Sequence, residues 1–226
     1  MKIQLSEARI SLLQSSVHCT VGILVFIISV MMACNGNGEV VLVEESWDEE
    51  CTTNEWSTCS LFGIVTLSEE GGNDTGFLCC FTKPGGNPNA DLGAKRMGHP
   101  WSGNYDSSDI SGVTLDFMLM GGSIFRAMVR LPYKDYEHNG WEFPLPIAQT
   151  RGIWQPFEIP LNVDWTDEEA EAAGWVRESR SASFGATVRN VHRFEVRIRP
   201  NQTVDDSDPN FVCVGIDNVV LMKKES

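Results

Sequence analysis

The sequence predicts an all-β protein, a single β-sandwich of jelly-roll type over residues 39–224. Two observations predict this fold class. Short apolar or alternating runs recur along the chain, and Gly, Asn, Asp and Pro separate them, as is typical of strands and turns. Only one segment has the composition of a helix. About nine strands with one helix indicate a two-layered β domain.

Residues 1–33 are predicted to be a signal peptide. A basic N-terminus precedes an apolar run at 21–33, which is too short to span a membrane comfortably. The run ends in Ala-Cys34, which resembles the bacterial lipobox, whose cysteine is acylated. We therefore expect a lipidated Cys34, a flexible spacer at 34–38 and attachment to a membrane of the bacterial cell envelope. A cleaved, secreted protein and an uncleaved anchor are the alternatives, and both place the sandwich outside the cytoplasm.

Five strands are predicted in the N-terminal half. Gly121-Gly122-Ser123 supplies the positive φ of a tight hairpin between the fourth and fifth of them. The stretch 83–105 is rich in Gly, Pro and Asn and lacks periodicity, so we expect a long surface loop, which often carries function. The predicted strands are 39–45, 61–68, 76–82, 113–120 and 124–131.

The helix is predicted at 164–173. Asp164 or Thr166 can cap it, and acidic residues crowd its first turn, where the helix dipole favours them. The strand at 154–161, just before it, contains two prolines, which predicts that it lies at an edge or starts late, because proline cannot donate to a neighbouring strand.

The remaining C-terminal segments are an aromatic loop or hairpin at 133–143 and strands at 191–199 and 211–223. Apolar and polar residues alternate along 191–199, so one face of this strand is expected to be in water. The residues on that solvated face are Val191, Arg193, Glu195, Arg197 and Arg199.

The C-terminal half also carries a series of motifs in a fixed order: Trp154, Phe157, Ile159-Pro160-Leu161, Gly174-Trp175, Val196-Arg197-Ile198-Arg199 and Ile216-Asp217-Asn218-Val219-Val220-Leu221. This order resembles laminin IV-type (laminin B) domains of bacterial surface proteins. The resemblance is clearest over 154–221. It implies a jelly roll in which Trp154 and Trp175 belong to the core.

The position of Asp217 in the last strand also makes a structural calcium ion a candidate. In many jelly-roll carbohydrate-binding modules, a carboxylate of the last strand and an acidic residue of the first strand hold calcium together. Asp217, Glu44 and Glu45 stand at those places here, and calcium takes roughly six to eight oxygen ligands. Such an ion would stabilise the fold and perform no chemistry. The alternative is that Asp217 only ends a strand or caps backbone donors.

The charge of the chain limits its partners. The formal net charge is −14, whereas a protein that follows the phosphates of a nucleic acid presents a basic face. We expect no nucleic-acid partner. The acidity is compatible with divalent cations and with a solvated extracellular surface.

Aromatic residues in polar loops form a candidate glycan site. A flat ring can stack on the apolar face of a sugar while neighbouring amides and carboxylates bind its hydroxyl groups. The alternative is that Trp101 and Trp141 fill the ends of the sandwich. The candidate residues are Trp101, Tyr105, Tyr133, Tyr136 and Trp141.

Five cysteines follow Cys34, and in an oxidising compartment they would tend to form disulfides. Five cannot all pair, so one is free or bonds to another chain. Cys79 and Cys80 are adjacent and would point to opposite faces of a strand, towards different partners. The pairing stays open among Cys51, Cys59, Cys79, Cys80 and Cys213.

The sequence contains none of the short catalytic motifs for hydrolases, zinc proteases or phosphate-binding loops. We therefore expect a non-catalytic surface protein that binds a glycan, a surface protein or extracellular matrix material. A purely structural surface domain without a small ligand is the first alternative, and a glycan-active enzyme is a remote one.

Overall fold

The computed structural model describes residues 39–45, 55–59, 63–68, 71–72, 76–82, 91–134, 138–201 and 212–224. Twelve strands and two short helices occur in this part of the chain. Their bounds are β1 Glu39–Glu45, β2 Ser57–Thr58, β3 Gly63–Ser68, β4 Phe77–Thr82, β5 Leu92–Arg96, β6 Ile110–Gly121, β7 Ile124–Pro132, β8 Gly140–Leu145, β9 Trp154–Pro160, α1 Asp167–Ala172, β10 Val176–Arg177, α2 Phe184–Val188, β11 Phe194–Pro200 and β12 Cys213–Lys224.

The strands form two antiparallel sheets, as the predicted jelly-roll β-sandwich requires. Sheet A has the order β3-β4-β12-β6-β9, and β1 pairs with β12 beside β4. Sheet B has the order β10-β8-β7-β11-β5-β2. Strand β9 lies at an edge of sheet A, so the prediction from its two prolines is confirmed.

Apolar side chains from the facing sides of the two sheets form one core. Val129 of β7, Val196 of β11 and Ile216 of β12 are fully buried in it. Trp175 is also in the core, as predicted. Trp154 is not, because it lies half-buried on the outer face of sheet A, where its ring makes an edge contact with Phe77.

The link between β6 and β7 differs from the predicted hairpin. The two strands belong to different sheets, so the link carries the chain across the sandwich. Gly122 has a φ of 72°, as expected of this link, and a Cβ there would lie 2.9 Å from a side-chain carbon of Val212. Glycine is therefore required for a sharp change of layer.

Four elements were not predicted, and two of them are the two-residue strands β2 and β10. Strand β5 lies within the segment expected to be a loop, and it pairs with β11 in sheet B. Helix α2 follows Ser183, whose side chain accepts a hydrogen bond from the Ala186 N–H. The predicted helix is observed as α1, and Thr166 caps it through a capping box with Glu169.

Among the described residues, no helix has both the length and the apolar character that crossing a membrane requires.

Candidate ligand-binding face

The outer face of sheet B, which points away from the core, is made of charged side chains. Alternate residues of β7 and β11 enter the core, and the residues between them face outwards. Strand register places Glu142, Arg130, Glu195 and Lys95 in one row across four neighbouring strands. Opposite charges therefore alternate along that row, and directly opposite pairs of this kind stabilise a sheet.

Glu195 is the centre of this face and is fully buried. Arg130 donates to it through Nη1 at 3.0 Å, and Arg193 donates through Nε at 2.5 Å. The Nε of Arg197 lies 3.3 Å from the Oε2 of Glu195. Burial raises the pKa of this carboxyl, but the attraction of the three arginines outweighs burial, so the pKa is lowered overall.

Arg130 is almost fully buried beside Glu195. Its Nη2 donates to Glu178 at 2.7 Å, and its Nε–H has no hydrogen-bond partner among the described residues. The pKa of Glu142, in the same row, is raised mainly by burial, although Arg126 lies 3.3 Å away. This half of the face is a buried ionic network that holds the strands in place.

The other half of the face is open. Arg126 of β7 lies directly opposite Arg199 of β11, and Arg197 lies opposite Met128. The side chains of Arg126, Arg197 and Arg199 are 40%, 20% and 37% exposed. We call these three residues the open arginine cluster.

Each arginine of the open cluster is held by a carboxylate but keeps hydrogen-bond donors for a ligand. Asp91 accepts two hydrogen bonds from Arg199, at 2.7 and 2.9 Å, and lies 3.5 Å from Arg197. Arg126 donates a hydrogen bond through its Nη1 to Glu142. The bidentate pair raises the pKa of Arg199, so its charge is permanent.

Phe125 has an exposed ring and adjoins the open arginine cluster in the sequence. It precedes Arg126 in β7, where the register with β11 shifts, and it is 70% exposed. Sequence reasoning missed Phe125, Arg126 and Asp91 as site residues. The alternation of 191–199 did predict the face that carries Arg197 and Arg199.

The predicted aromatic site is not formed. Trp101, Tyr105 and Trp141 are buried in the core, so the prediction that their rings stack on a sugar is wrong. The tryptophans instead fill the interior, as the alternative had it. Tyr133 is half-buried, with the Lys134 amino group 4.9 Å from its ring centroid. Tyr136 lies outside the described residues.

The three predicted calcium ligands do not converge on one site. Strands β1 and β12 do pair, and Glu45 lies opposite Val219. Glu45 points inwards, however, where Trp101 donates to it at 3.1 Å and Arg96 lies 3.6 Å away. Asp217 alternates with the core residue Ile216 and lies on the outer face of sheet A.

Glu44 is exposed on β1. Within the described part of the chain, no three His, Cys, Asp or Glu side chains are grouped to hold a metal ion. The residues present therefore do not fit the predicted shared calcium site.

Two of the cysteine candidates meet. The Sγ atoms of Cys79 and Cys213 lie 3.2 Å apart on adjacent strands of sheet A. Cys80 enters the core, which confirms that the adjacent cysteines point to opposite faces. Burial raises the pKa of the thiols of Cys80 and Cys59. Cys51 and the proposed lipidation site Cys34 lie outside the described residues.

No protein-family model matches the sequence, and no curated protein matches it. Several solved structures are similar to it. The family 11 carbohydrate-binding module of the cellulosomal cellulase Lic26A-Cel5E of Clostridium thermocellum is 13% identical, with a TM-score of 0.48 over 79% of this chain and 94% of that one.

A xylan-binding domain of family 22 is 12% identical, with a TM-score of 0.45 over 82% of this chain and 96% of that one. A carbohydrate-binding module described for specific mannan recognition is 14% identical, with a TM-score of 0.42 over 82% and 98%. At these identities the likeness concerns the fold alone.

Proposed function

We propose that this protein binds a glycan through the outer face of sheet B and catalyses no reaction. The observation that carries the proposal is the open arginine cluster beside Phe125. Three partly exposed arginines lie on two adjacent strands, and carboxylates fix their positions. A site held by ion pairs in a sheet is preorganised, so little conformational entropy is lost on binding.

The chemistry of this face suits a sugar polymer. A planar guanidinium presents paired N–H donors, which can bind two oxygen atoms of a sugar at once. Asp91 and Glu142 retain lone pairs that can accept from hydroxyl groups. The exposed ring of Phe125 offers an apolar surface on which a sugar can lie.

The carboxylates of this face support a non-catalytic role. A glycosidase usually needs one carboxyl as an acid and a second as a base or nucleophile across the scissile bond. Here Asp91 is held by two arginines and Glu195 by three. Carboxylates held in this way position arginines and are poorly placed to transfer protons.

A binding panel tests the proposal. The full-length protein would be titrated with xylan, mannan, mixed-linkage glucan, polygalacturonate and dextran sulfate, and Kd would be measured by calorimetry. We expect at least one polymer to bind, and we expect Phe125→Ala to weaken its binding about fivefold, because one stacked ring contributes on the order of 1 kcal/mol.

Met97→Ala is the matched control. Met97 is 45% exposed and follows the end of β5 that is farther from Asp91, so its loss should leave Kd unchanged. If no polymer binds, the proposal fails and the purely structural surface domain is favoured. A surface or matrix protein as the partner would give the same negative result with glycans and would bind in a pull-down.

We also propose that the protein belongs to the bacterial cell envelope, tethered by a lipid on Cys34, and that its fold is of laminin IV type. The apolar run that ends at Cys34 supports the tether. Palmitate labelling of the wild type and of Cys34→Ala tests it. The wild type should be labelled and the variant should not, and equal labelling would contradict the lipid anchor.

A further inference from the structure

Arg126 and Arg199 form an unusual pair, because two positive side chains lie directly opposite each other on adjacent strands. The Cβ atoms of such a pair are about 5 Å apart, and like charges in this position destabilise a sheet. Arg197, one row along β11, adds a third positive charge next to them. The fold therefore keeps a local concentration of positive charge at this position.

The carboxylates of the face do not neutralise this concentration. Only two carboxylates, those of Asp91 and Glu142, pair mainly with the three arginines of the cluster. Arg197 also forms an ion pair with Glu195, which is shared with arginines outside the cluster. Among the described residues of this face, six basic side chains stand against four acidic ones, although the chain has a net charge of −14. The residues counted are Lys95, Arg126, Arg130, Arg193, Arg197, Arg199, Asp91, Glu142, Glu178 and Glu195.

The donors of the cluster are also in excess. Each guanidinium has five N–H groups in a planar fork that matches carboxylate and other oxyanions. The Nε–H of Arg126 is buried and has no hydrogen-bond partner among the described residues. The contact with Glu142 therefore compensates only part of the positive charge of Arg126.

We propose that the open arginine cluster binds the acidic groups of an anionic glycan, one whose sugars carry carboxylate or sulfate. This inference rests on the proposed function, and it names the class of ligand. One oxyanion between Arg126 and Arg199 accepts hydrogen bonds from both and removes their mutual repulsion. The acidic remainder of the protein weakens this attraction little, because salt screens exposed charges beyond about 8 Å.

The same titrations test the inference when polygalacturonate, dextran sulfate and the neutral polymers are compared. We expect an acidic polymer to bind at least tenfold more tightly than any neutral one. Polygalacturonate and dextran sulfate separate the two sources of negative charge. The double variant Arg126→Gln/Arg199→Gln should weaken the acidic polymer at least tenfold and leave neutral polymers unchanged.

Two further variants keep the test informative. Arg126→Lys keeps the charge and loses the fork, so it should show an intermediate loss if the donors act as a pair. Arg189→Gln removes a 43% exposed arginine at the end of α2 and should have no effect. A circular dichroism melt of each variant shows whether it is folded.

The possible failures are distinguishable. Binding of neutral polymers alone would overturn the anionic ligand and leave glycan binding standing. Acidic binding that the double variant does not weaken would overturn the site. Failure of all polymers to bind would overturn both proposals.

Discussion

Buried charge explains much about individual residues of sheet B. Removing the charge of Glu195 would leave Arg130, Arg193 and Arg197 without the carboxylate that all three pair with. Loss of one partner from a buried ion pair typically costs about 3–5 kcal/mol. A position on the outward-facing side of a strand can thus be as important for stability as a core position.

Glu195→Gln should lower the free energy of unfolding by about 3 kcal/mol at pH 7. It should also remove part of the acid sensitivity. Because the folded-state pKa of Glu195 is lowered, its stabilisation is present above the unfolded pKa of about 4.3 and is lost as the pH falls through the folded value.

The contribution of Glu142 to stability changes with pH in the opposite direction. Its folded-state pKa is raised, so its stabilisation is present below the unfolded pKa and is lost as the pH rises through the folded value. Urea unfolding at several pH values, with the exposed Glu158→Gln as a control, measures both effects. Equal stability of the Glu195 variant and the wild type at pH 7 would contradict the assigned role.

Cys79 and Cys213 are predicted to form a disulfide under oxidising conditions. The hydrogen bond between the two thiols lowers the pKa of Cys213, which favours its thiolate, and raises the pKa of Cys79. The Cys213 thiolate attacks a small disulfide, which forms a mixed disulfide and releases one small thiolate. The Cys79 thiolate then attacks the Cys213 sulfur and displaces the second small thiolate, so the oxidant leaves as two thiols. Two protons and two electrons leave the protein.

Peptide mapping after treatment with oxidised glutathione measures this reaction. A crosslinked Cys79–Cys213 peptide, about 2 Da lighter than its two thiol parts, is expected. Cys80 should stay reduced, because it is buried. Alkylation of both Cys79 and Cys213 after full oxidation would show that no bond forms.

At the scale of elements, short strands depend on close backbone contacts. Gly93 lies in β5 with a φ of 129°, and a Cβ there would be 1.9 Å from the carbonyl oxygen of Val196 in β11. Such a side chain would separate β5 from β11. The pairing of these strands also positions Asp91 beside the open arginine cluster.

Gly93→Ala should therefore destabilise the fold by about 3 kcal/mol, from backbone strain and from overpacking together. Gly98→Ala is the control, since Gly98 also has a positive φ, of 88°, but no atom lies within 4 Å of its Cβ position. This variant should lose only about 1 kcal/mol. Similar losses, measured by chemical denaturation, would contradict the proposed clash.

The sequence predicted long, periodic elements well and short or irregular ones poorly. Strand β11 was clear because polar and apolar residues alternate along it, whereas β5 is brief and contains glycine. The sequence left open whether the rings of Trp101 and Trp141 bind a sugar or fill the interior, because burial depends on where a loop packs. The charged face needed strand register, which brings Arg126 opposite Arg199 and cannot be read from one strand alone.

At the scale of the whole molecule, the first and last strands of the sandwich are paired. Asp217 helps to shape the last strand, because it accepts the Asn218 N–H at 2.9 Å where Asn218 has a φ of 47°. The Asn218 amide in turn donates to Asp116 at 2.9 Å. Two carboxylates on neighbouring strands are thus held around one bulge.

Asp217→Ala should lower the stability by about 2 kcal/mol, because a hydrogen bond to a charged group is lost. The loss should be the same in EDTA and in calcium, since the predicted cation ligands do not converge. Thermal melts measure it as a shift of several degrees. A loss seen only with calcium would restore the predicted calcium-binding role of Asp217.

The pairing of β1 with β12 also decides what the protein presents to its surroundings. Glu39 lies opposite Lys224, so the chain enters and leaves the sandwich at one end. Cys213 lies opposite Gly121 at the other end of β12, at most roughly 36 Å away for eleven steps of about 3.3 Å each.

Strand β7 starts at that far end and soon reaches Arg126. A lipid on Cys34 would leave only four residues before Glu39, and this linker could span at most about 17 Å. If β12 stood perpendicular to the bilayer, this short linker would place the open arginine cluster at the end of the sandwich that is farther from the lipid headgroups. Long, rigid polymers could then dock from above without having to approach the bilayer.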